Sequence, residues 1–290
     1  MSHKSIYKTP EDKEIIAELY TQKLASLDIQ YEEQQVDTFA GKTNVITVGE
    51  AHLPPLVLFH GINAGTPLAL EAIKGLATEY RIYGIDTVGQ ATRSAETVLP
   101  LHDDSYGRWA VDVLDALGLD KAAILGVSYG AFIVQRLIAY APQRLERALF
   151  VVPSGFANGP LFESIFKLLM PMYKFKKSKK EADLLKFMDA FYVDKDPFSV
   201  AFQKAILLGV HLDTRRPPLL SKKETKDFDA PVYMLVAEHD IFFPSPKTIK
   251  KAKSLFKNLR RIEVLKGGKH VPTLSTYGEI ERIVGEFMRD

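Results

Sequence analysis

The sequence AAILGVSYGA at residues 122–131 constrains the fold of this chain more than any other segment. Its first six residues are apolar, as in a buried strand, and residues 129–140 have the apolar pattern of a helix. A strand that turns directly into a helix puts the residue at the turn, Ser128, in a strained backbone conformation. Gly126 and Gly130 have no Cβ, so strand and helix can pack closely there. The pattern Gly-x-Ser-x-Gly in this context predicts a nucleophilic serine at the C-terminal edge of a sheet.

Strands and helices alternate on both sides of this turn. Residues 29–39 and 43–48 alternate apolar and polar side chains around Gly41, which predicts a hairpin. Shorter apolar runs predict buried strands at residues 56–59, 81–86, 122–127, 147–152, 231–236 and 261–265. Helical patterns lie between most of these runs, for example at residues 67–79 and 106–117. We therefore predict an α/β fold with a mostly parallel, eight-stranded sheet covered by helices on both faces.

The regular alternation is interrupted after Pro153, which predicts a helical insertion after the sixth strand. Residues 155–226 are rich in apolar and lysine side chains, with candidate helices at 161–172, 181–192 and 198–208. We predict a cap (lid) from 155–226, a core from 29–154 and 227–290, and an N-terminal helical segment at 1–28. The apolar cap residues are expected either to line a pocket or to fasten the cap to the core; they are Phe162, Phe166, Met170, Phe187, Phe191 and Phe202. The lysine-rich run 174–180 is typical of a solvated face, and an anionic partner is the alternative.

Composition excludes several classes of function. The formal net charge is only +2, which offers no electrostatic case for nucleic acid. The chain has no cysteine, so disulfides, thiolate catalysis and cysteine metal ligands are excluded. The polar segment 1–13 has no apolar core of a signal peptide, and no apolar run approaches the ~18 residues that span a bilayer. We expect a soluble, cytoplasmic protein without a membrane span; its oligomeric state stays open.

A serine hydroxyl is a poor nucleophile at neutral pH and needs a base within hydrogen-bond reach. Among the seven histidines, His270 follows the last predicted strand in a loop that begins with Gly267 and Gly268. This position suits the base, because the chain order for such a serine is Ser, then Asp or Glu, then His. The remaining histidines lie in the N-terminal tail, in other loops or in the cap; they are His3, His52, His60, His102, His211 and His239.

The base in turn needs a carboxylate that orients its ring. Asp240 lies in the loop after the strand that ends near residue 236, where a carboxylate can meet His270 across adjacent strand ends. Glu238 is the closest alternative, whereas Asp229 precedes the strand and lies at the wrong edge. An aspartate here can also cap the next helix, but Pro244 and Ser245 are expected to do that.

The oxyanion of a tetrahedral intermediate needs two preorganised N–H donors. The backbone N–H of Tyr129 is one candidate, because it directly follows the serine. The second is expected from the loop after the strand at residues 56–59, which points to the backbone of Ile62. In this loop His60 and Gly61 are expected to hold its shape, and Asn63 either supports the loop or touches substrate.

These residues and their order resemble the α/β-hydrolase superfamily, in its capped, carboxylesterase-like serine-hydrolase branch. The resemblance covers residues 29–288 and rests on residues 60–62, the Asp86 loop, residues 126–130, 238–240 and 268–270. Two departures from the pattern are Ala131, where a further glycine is common, and the loop 89–94, which lacks the usual Gly-x-Gly-x-Ser. The second departure bears on substrate fit rather than on the chemistry.

The resemblance implies a serine hydrolase that cleaves an ester-like bond of a small, largely apolar substrate through an acyl-enzyme. Ser128 would attack, His270 would transfer the proton and Asp240 would orient His270, with no metal or organic cofactor. Carbon–carbon bond hydrolases and cofactor-free haloperoxidase-like enzymes use the same three groups, so they stay open as alternatives. A ligand receptor on the same fold, without turnover, is the alternative from a different class.

Overall fold

A computed structural model describes residues 5–290, and His3 therefore lies outside the described residues. The strands are β1 (Glu32–Thr38), β2 (Gly41–Val48), β3 (Pro55–Phe59), β4 (Arg81–Ile85), β5 (Ala122–Val127), β6 (Leu145–Val151), β7 (Val232–Ala237) and β8 (Leu259–Leu265). The α-helices are α1 (Pro10–Ser26), α2 (Thr66–Glu71), α3 (Ser105–Ala116), α4 (Tyr129–Tyr140), α5 (Leu161–Ser164), α6 (Met170–Ser178), α7 (Glu181–Met188), α8 (Pro197–Gly209), α9 (Ser245–Leu255) and α10 (Leu274–Arg289).

The eight strands form one sheet in the order β1-β2-β4-β3-β5-β6-β7-β8. Strand β2 runs antiparallel to its neighbours β1 and β4, and the remaining pairs are parallel. The predicted eight-stranded, mostly parallel sheet is therefore confirmed. The loops after β3, β5, β7 and β8 leave the same edge of this sheet, because parallel strands place their carboxyl ends together.

Helices cover both faces of the sheet. Val57 of β3 belongs to the apolar cluster that contains Trp109 of α3 and Phe132 of α4. Leu58 faces the other way, into the cluster with Phe287 of α10. Alternate side chains of one strand thus enter two cores, which explains why β3 reads as a continuous apolar run.

One predicted helix is interrupted. The pattern at residues 67–79 predicts a single helix, but α2 ends at Glu71 and a 3-10 turn follows at Lys74–Thr78. The backbone N–H of Gly75 donates to the carboxylate of Glu281 in α10, 2.7 Å away. A contact distant in sequence and a glycine of low helix propensity thus lie in the 3-10 turn that replaces the second half of the predicted helix.

The chain between β6 and β7 is helical and has its own apolar cluster. Helix α5 continues through a π-helical turn at Ile165–Leu169 into α6, and α7 and α8 follow. Leu184, Phe187 and Met188 pack in this cluster together with Ile241, which follows β7. The assignment of residues 155–226 as a cap stays a prediction.

The segment before α1 crosses to the end of α8. Tyr7 pairs with Val210 as an isolated antiparallel bridge. The Lys8 N–H donates to the Gly209 carbonyl, and the His211 N–H donates to the Ile6 carbonyl, both at 2.8 Å. Two segments some two hundred residues apart are thereby joined beside the carboxyl edge of the sheet.

Within residues 5–290 no helix has both the length and the apolar character that crossing a bilayer requires.

Candidate active site

Ser128 lies at the junction of β5 and α4. Its backbone has φ +52° and ψ −110°, a conformation that residues other than glycine rarely adopt. Two glycines make this turn possible. A Cβ on Gly126 would lie 2.6 Å from the backbone nitrogen of Ala131, and one on Gly130 would lie 2.1 Å from the Phe59 carbonyl oxygen. The Ser128 N–H donates to the Val151 carbonyl at 2.9 Å, which anchors the turn to β6. The strain is thus held by close packing on both sides of Ser128.

A chain of hydrogen bonds joins the three residues predicted to carry the chemistry. The Ser128 Oγ lies 2.9 Å from the Nε2 of His270. The Nδ1 of His270 lies 2.8 Å from the Oδ2 of Asp240. In the tautomer that satisfies both contacts, Nδ1–H donates to the carboxylate and Nε2 accepts from the serine hydroxyl. This is the geometry that a serine nucleophile with a positioned base requires.

Asp240, rather than Glu238, faces His270. The second carboxylate oxygen of Asp240, Oδ1, accepts the N–H groups of Phe242 and Phe243 at 2.8 and 3.0 Å. Glu238 instead accepts the Gly267 N–H at 2.9 Å, and that N–H together with Lys266 lowers the pKa of its carboxyl. Of the two residues expected to cap α9, Pro244 is the N-cap residue and Ser245 is the first residue of the helix, and no side chain caps it. The buried Asp240 carboxylate organises this turn and orients His270 at the same time.

Two aromatic rings enclose the imidazole of His270. The ring centroids of Phe242 and Phe243 lie 4.8 and 5.3 Å from that of His270, both edge-on. Only 11% of the His270 side chain is exposed to solvent. Apolar neighbours strengthen the hydrogen bonds of His270 because they exclude water from it.

The predicted oxyanion loop lies directly against Ser128. A Cβ on Gly61 would be 3.5 Å from the Ser128 Cβ. Tyr129 begins α4, so its N–H has no acceptor within that helix. Across the described part of the chain, no backbone or side-chain acceptor takes the N–H of Ile62 either. Two backbone donors without partners thus come from the two loops that meet at Ser128.

His60 is fully buried and holds this loop to the loop after β4. Its Nδ1 lies 2.6 Å from the Gly61 carbonyl oxygen, and its Nε2 accepts the Thr87 N–H at 3.0 Å. Burial lowers the pKa of the imidazole, against the opposing effect of Asp86. A neutral ring with Nδ1–H and a free Nε2 lone pair satisfies both contacts. His60 therefore has the surroundings of a positioning residue and not of a base.

Asn63 supports the same loop. Its backbone is left-handed, with φ +50°. Its N–H donates to the Oε1 of Gln90 at 2.7 Å, and its Oδ1 accepts the Ala91 N–H at 3.1 Å. Of the two roles considered for Asn63, these contacts favour loop support. Gln90 was not singled out by the sequence, because its partner lies on another loop.

Comparison with known proteins agrees with this architecture. The family described as alpha/beta hydrolase fold matches residues 54–274, which is most of the chain. The chain belongs to the alpha/beta hydrolase fold family.

Similar proteins align with nearly the whole length of this alpha/beta hydrolase. Carboxylesterase YbfK from Bacillus subtilis is 24% identical over 93% of this chain and 92% of its own length. A second B. subtilis protein, an uncharacterized carboxylesterase nap, is 23% identical over 87% of this chain and 85% of its own length. The crystal structure of naproxen esterase from B. subtilis covers 97% of this chain and 99% of its own, with a TM-score of 0.83 at 20% identity. At that identity the structural likeness establishes the fold alone.

A buried carboxylate, Asp86, supports the loops of the candidate active site in this hydrolase. Its Oδ2 accepts the Tyr20 hydroxyl at 2.9 Å, and its Oδ1 accepts the Thr66 N–H at the same distance. Burial, followed by the charge of Asp86, raises the pKa of Tyr20. The sequence indicated a loop here but gave no sign that Asp86 ties α1 and α2 to it.

A small cavity of about 30 Å³ adjoins the oxyanion loop of the hydrolase. Ile62 and Tyr129 line one side of it, and Ile6 and Val210 line another. The Tyr129 hydroxyl donates to that of Tyr106 at 3.0 Å, and burial raises the pKa of both phenols, so they stay protonated. Small-molecule sites usually enclose about 300–1,000 Å³. The cavity is therefore too small for an ester unless one of its walls moves.

A larger cavity, of about 400 Å³, lies elsewhere, between α1, β1 and the loop at residues 91–96. None of the hydrogen-bonded groups around Ser128 lines it, and its charged side chains are paired, Lys13 with Glu96 and Arg93 with Glu33. The larger of the two cavities is therefore not the one that adjoins Ser128.

Residues 5–290 contain no group of three or more histidine, aspartate or glutamate side chains arranged to hold a metal ion.

Proposed function

We propose that this chain is a serine hydrolase that cleaves carboxylic ester bonds through an acyl-enzyme. The observation that carries the proposal is the continuous hydrogen-bonded chain from Ser128 through His270 to the buried Asp240. All three groups lie on different loops at one sheet edge, so their convergence is a product of the fold.

In the first half-reaction, the Ser128 Oγ attacks the carbonyl carbon of the ester while His270 Nε2 takes the hydroxyl proton. The resulting tetrahedral intermediate carries its negative charge on the former carbonyl oxygen. Collapse of this intermediate breaks the carbon–oxygen ester bond, and the imidazolium delivers its proton to the departing alcohol. Ser128 is then acylated and His270 is neutral again.

In the second half-reaction, water attacks the acyl carbon and His270 takes its proton. Collapse releases the carboxylic acid and returns the proton to Ser128 Oγ. Asp240 stabilises the imidazolium in both halves and keeps its Nδ1 protonated. The backbone N–H groups of Ile62 and Tyr129 are the proposed donors to the oxyanion, supported by their free state beside Ser128.

The relatives support the choice of ester chemistry over other reactions of the fold. The two B. subtilis relatives described above, which span nearly the whole chain, are named carboxylesterases. The cavity beside the predicted oxyanion loop is lined by apolar side chains such as Ile6 and Val210 and by polar ones such as Gln90 and Asp213. Its apolar part supports a small acyl or alcohol group. Carbon–carbon bond hydrolysis and haloperoxidase-like activity use the same groups and are the alternative reactions.

A fluorophosphonate probe tests the proposal, because it reacts with a serine only when a base activates it. We expect labelling of the native protein and none of Ser128→Ala. Ser254→Ala, which removes an exposed serine hydroxyl on α9, is the matched control and should label normally. Absence of labelling in the native protein would favour the receptor.

A substrate panel separates the remaining activities. p-Nitrophenyl esters of increasing acyl length, a vinylogous 1,5-diketone and a halogenation assay with peroxide are measured with the same preparation. Turnover of esters that is lost in Ser128→Ala supports the proposal. Efficient turnover of the diketone with negligible ester cleavage would replace it.

A further inference from the structure

The helix that runs from α5 through the π-helical turn into α6 is apolar on two faces. Leu168, Pro171 and Phe175 face inward and are buried. The opposite face carries five large apolar side chains that are exposed, and we refer to them as the cap patch: Phe162, Phe166, Leu169, Met170 and Tyr173. Phe162 is 72% exposed and Tyr173 is 70% exposed.

The cap patch is contiguous and does not consist of scattered single residues. The ring centroids of Phe162 and Phe166 lie 4.5 Å apart. Leu169, Met170 and Tyr173 continue the same face over the next two turns. A contiguous apolar face of this kind is normally covered by a protein core or by lipid, and this one is open to solvent. The expectation that Phe162, Phe166 and Met170 line a pocket or fasten the cap is therefore wrong.

Positive charge is concentrated at the C-terminal end of the helix that carries the cap patch. Residues 161–180 contain six lysines and one glutamate. Lys167 pairs with Glu163 and Lys174 pairs with Asp183. The exposed side chains of Lys177, Lys179 and Lys180 form no ion pair with any part of the chain that the structure describes. An apolar face beside unpaired lysines is complementary to acyl chains beneath anionic headgroups.

We propose that the cap patch and the adjoining lysines form a docking surface for an anionic lipid bilayer. The phenyl rings and Met170 enter the acyl-chain boundary, Tyr173 lies at headgroup level, and the lysines contact the lipid phosphates. A second protein chain would bury the apolar face equally well, but it would not by itself account for the lysines. On this proposal, the anionic partner of the lysine run at 174–180 is the lipid phosphates.

The docking surface adjoins the candidate active site. The Gly159 N–H donates to the Phe242 carbonyl at 2.7 Å, and the Phe242 ring packs on His270. Phe162, the first residue of the cap patch, follows three residues later. Binding to a bilayer would therefore place the approach to Ser128 close to lipid. The docking itself does not depend on the proposed hydrolysis.

Vesicle flotation with the full chain tests the proposal. Ser128→Ala protein is mixed with vesicles of phosphatidylcholine alone or of phosphatidylcholine with phosphatidylglycerol, so that binding is measured without turnover. We expect flotation with the phosphatidylglycerol vesicles, reduced by salt, and little with phosphatidylcholine alone. Absence of binding to both kinds of vesicle would overturn the docking proposal and leave the proposed function untouched.

Two variants with matched controls locate the surface. Lys177→Glu, Lys179→Glu and Lys180→Glu together should weaken binding roughly tenfold or more. The same charge change on α9, at Lys247, Lys250 and Lys253, should have a much smaller effect. Tyr173→Ser should weaken binding, and Tyr31→Ser, which removes another exposed tyrosine, should not. Equal losses in variants and controls would overturn the location, and circular dichroism verifies that each variant folds.

Sedimentation without lipid tests the alternative that a second copy of the chain covers the cap patch. If the chain self-associates, and Tyr173→Ser abolishes that association while vesicles are never bound, the cap patch is an interface between copies and the lipid proposal is wrong.

Discussion

The backbone N–H of Val271 donates to the carbonyl oxygen of Phe191 across 2.9 Å. This bond joins the residue after His270 to the segment between α7 and α8. On the other side of His270, the Lys269 ammonium donates to the Asp189 carbonyl at 2.6 Å. These two bonds tie the segment after α7 to the loop that holds the candidate base, so we expect a shift of one to move the other.

Gly159→Ala is expected to disturb the site from the start of the same segment. An added Cβ would lie 2.1 Å from the Ile241 carbonyl oxygen, so the loop that follows Asp240 must move. A displacement of about 1 Å in a positioned group costs on the order of 10²-fold in rate. We expect kcat for a p-nitrophenyl ester to fall by about that factor while the thermal midpoint changes little.

Gly278→Ala is the control for this experiment. Nothing lies within 4 Å of its added Cβ, and the residue is inside α10. It should stabilise the chain by up to about 1 kcal/mol and leave kcat unchanged. Equal kcat values for the two variants would contradict the coupling.

Asp240→Asn is expected to remove activity while the fold is retained. The asparagine oxygen can still accept the N–H groups of Phe242 and Phe243, but its amide then donates toward His270 Nδ1. This stabilises the wrong tautomer, a change that costs about 10⁴-fold in kcat in a serine protease. Glu238→Gln should retain kcat near the native value. A larger loss in Glu238→Gln than in Asp240→Asn would transfer the role to Glu238.

Ile6→Ala is expected to change acyl-chain selectivity, because Ile6 lines the cavity beside the oxyanion loop. Removing its side chain beyond Cβ should raise kcat/KM for butyryl relative to acetyl esters by about 10-fold, the usual effect of one or two methylenes in a pocket. Ile16→Ala is the matched control, since Ile16 belongs to the same apolar cluster but lines the other cavity. The same shift in both variants would indicate a loss of stability and not a change in the pocket.

His60 predicts a pH dependence of folding. Burial lowers the pKa of His60, so the folded chain binds fewer protons than the unfolded chain, whose free histidine titrates near about 6.5. Stability therefore falls as the pH drops below that value, by up to about 1.4 kcal/mol per pH unit. Carboxyl groups with lowered pKa, such as Glu96, lose their contribution only at more acidic pH.

Urea unfolding at pH 7 and pH 5 measures this effect. We expect His60→Gln to be less stable than the native chain at pH 7 but to lose less stability on acidification. His102→Gln, which removes an exposed histidine, should keep the native slope. Identical slopes for all three proteins would exclude His60 as the source.

Much of the fold could be predicted because its signals are local. Apolar runs bounded by turn residues predict the strands near their observed bounds, and the glycines around Ser128 predict the turn whose φ is +52°. The order of the chemical groups, at the ends of successive strands, follows from the parallel sheet. Where prediction failed, as at residues 67–79, a contact distant in sequence decided the outcome.

The sequence by itself determined the strand order along the chain, the turn at Ser128, and the loops from which a base and an acid must come, because periodicity and turn chemistry act over a few residues. Only the tertiary structure decided that Asp240 and not Glu238 faces His270, because a loop between two strands can point either carboxylate inward. It also decided that Ile6 and Val210 close the cavity, and that the cap patch faces solvent. A helix with two apolar faces has no sequence signal for which face is covered, and packing against residues far along the chain makes that choice.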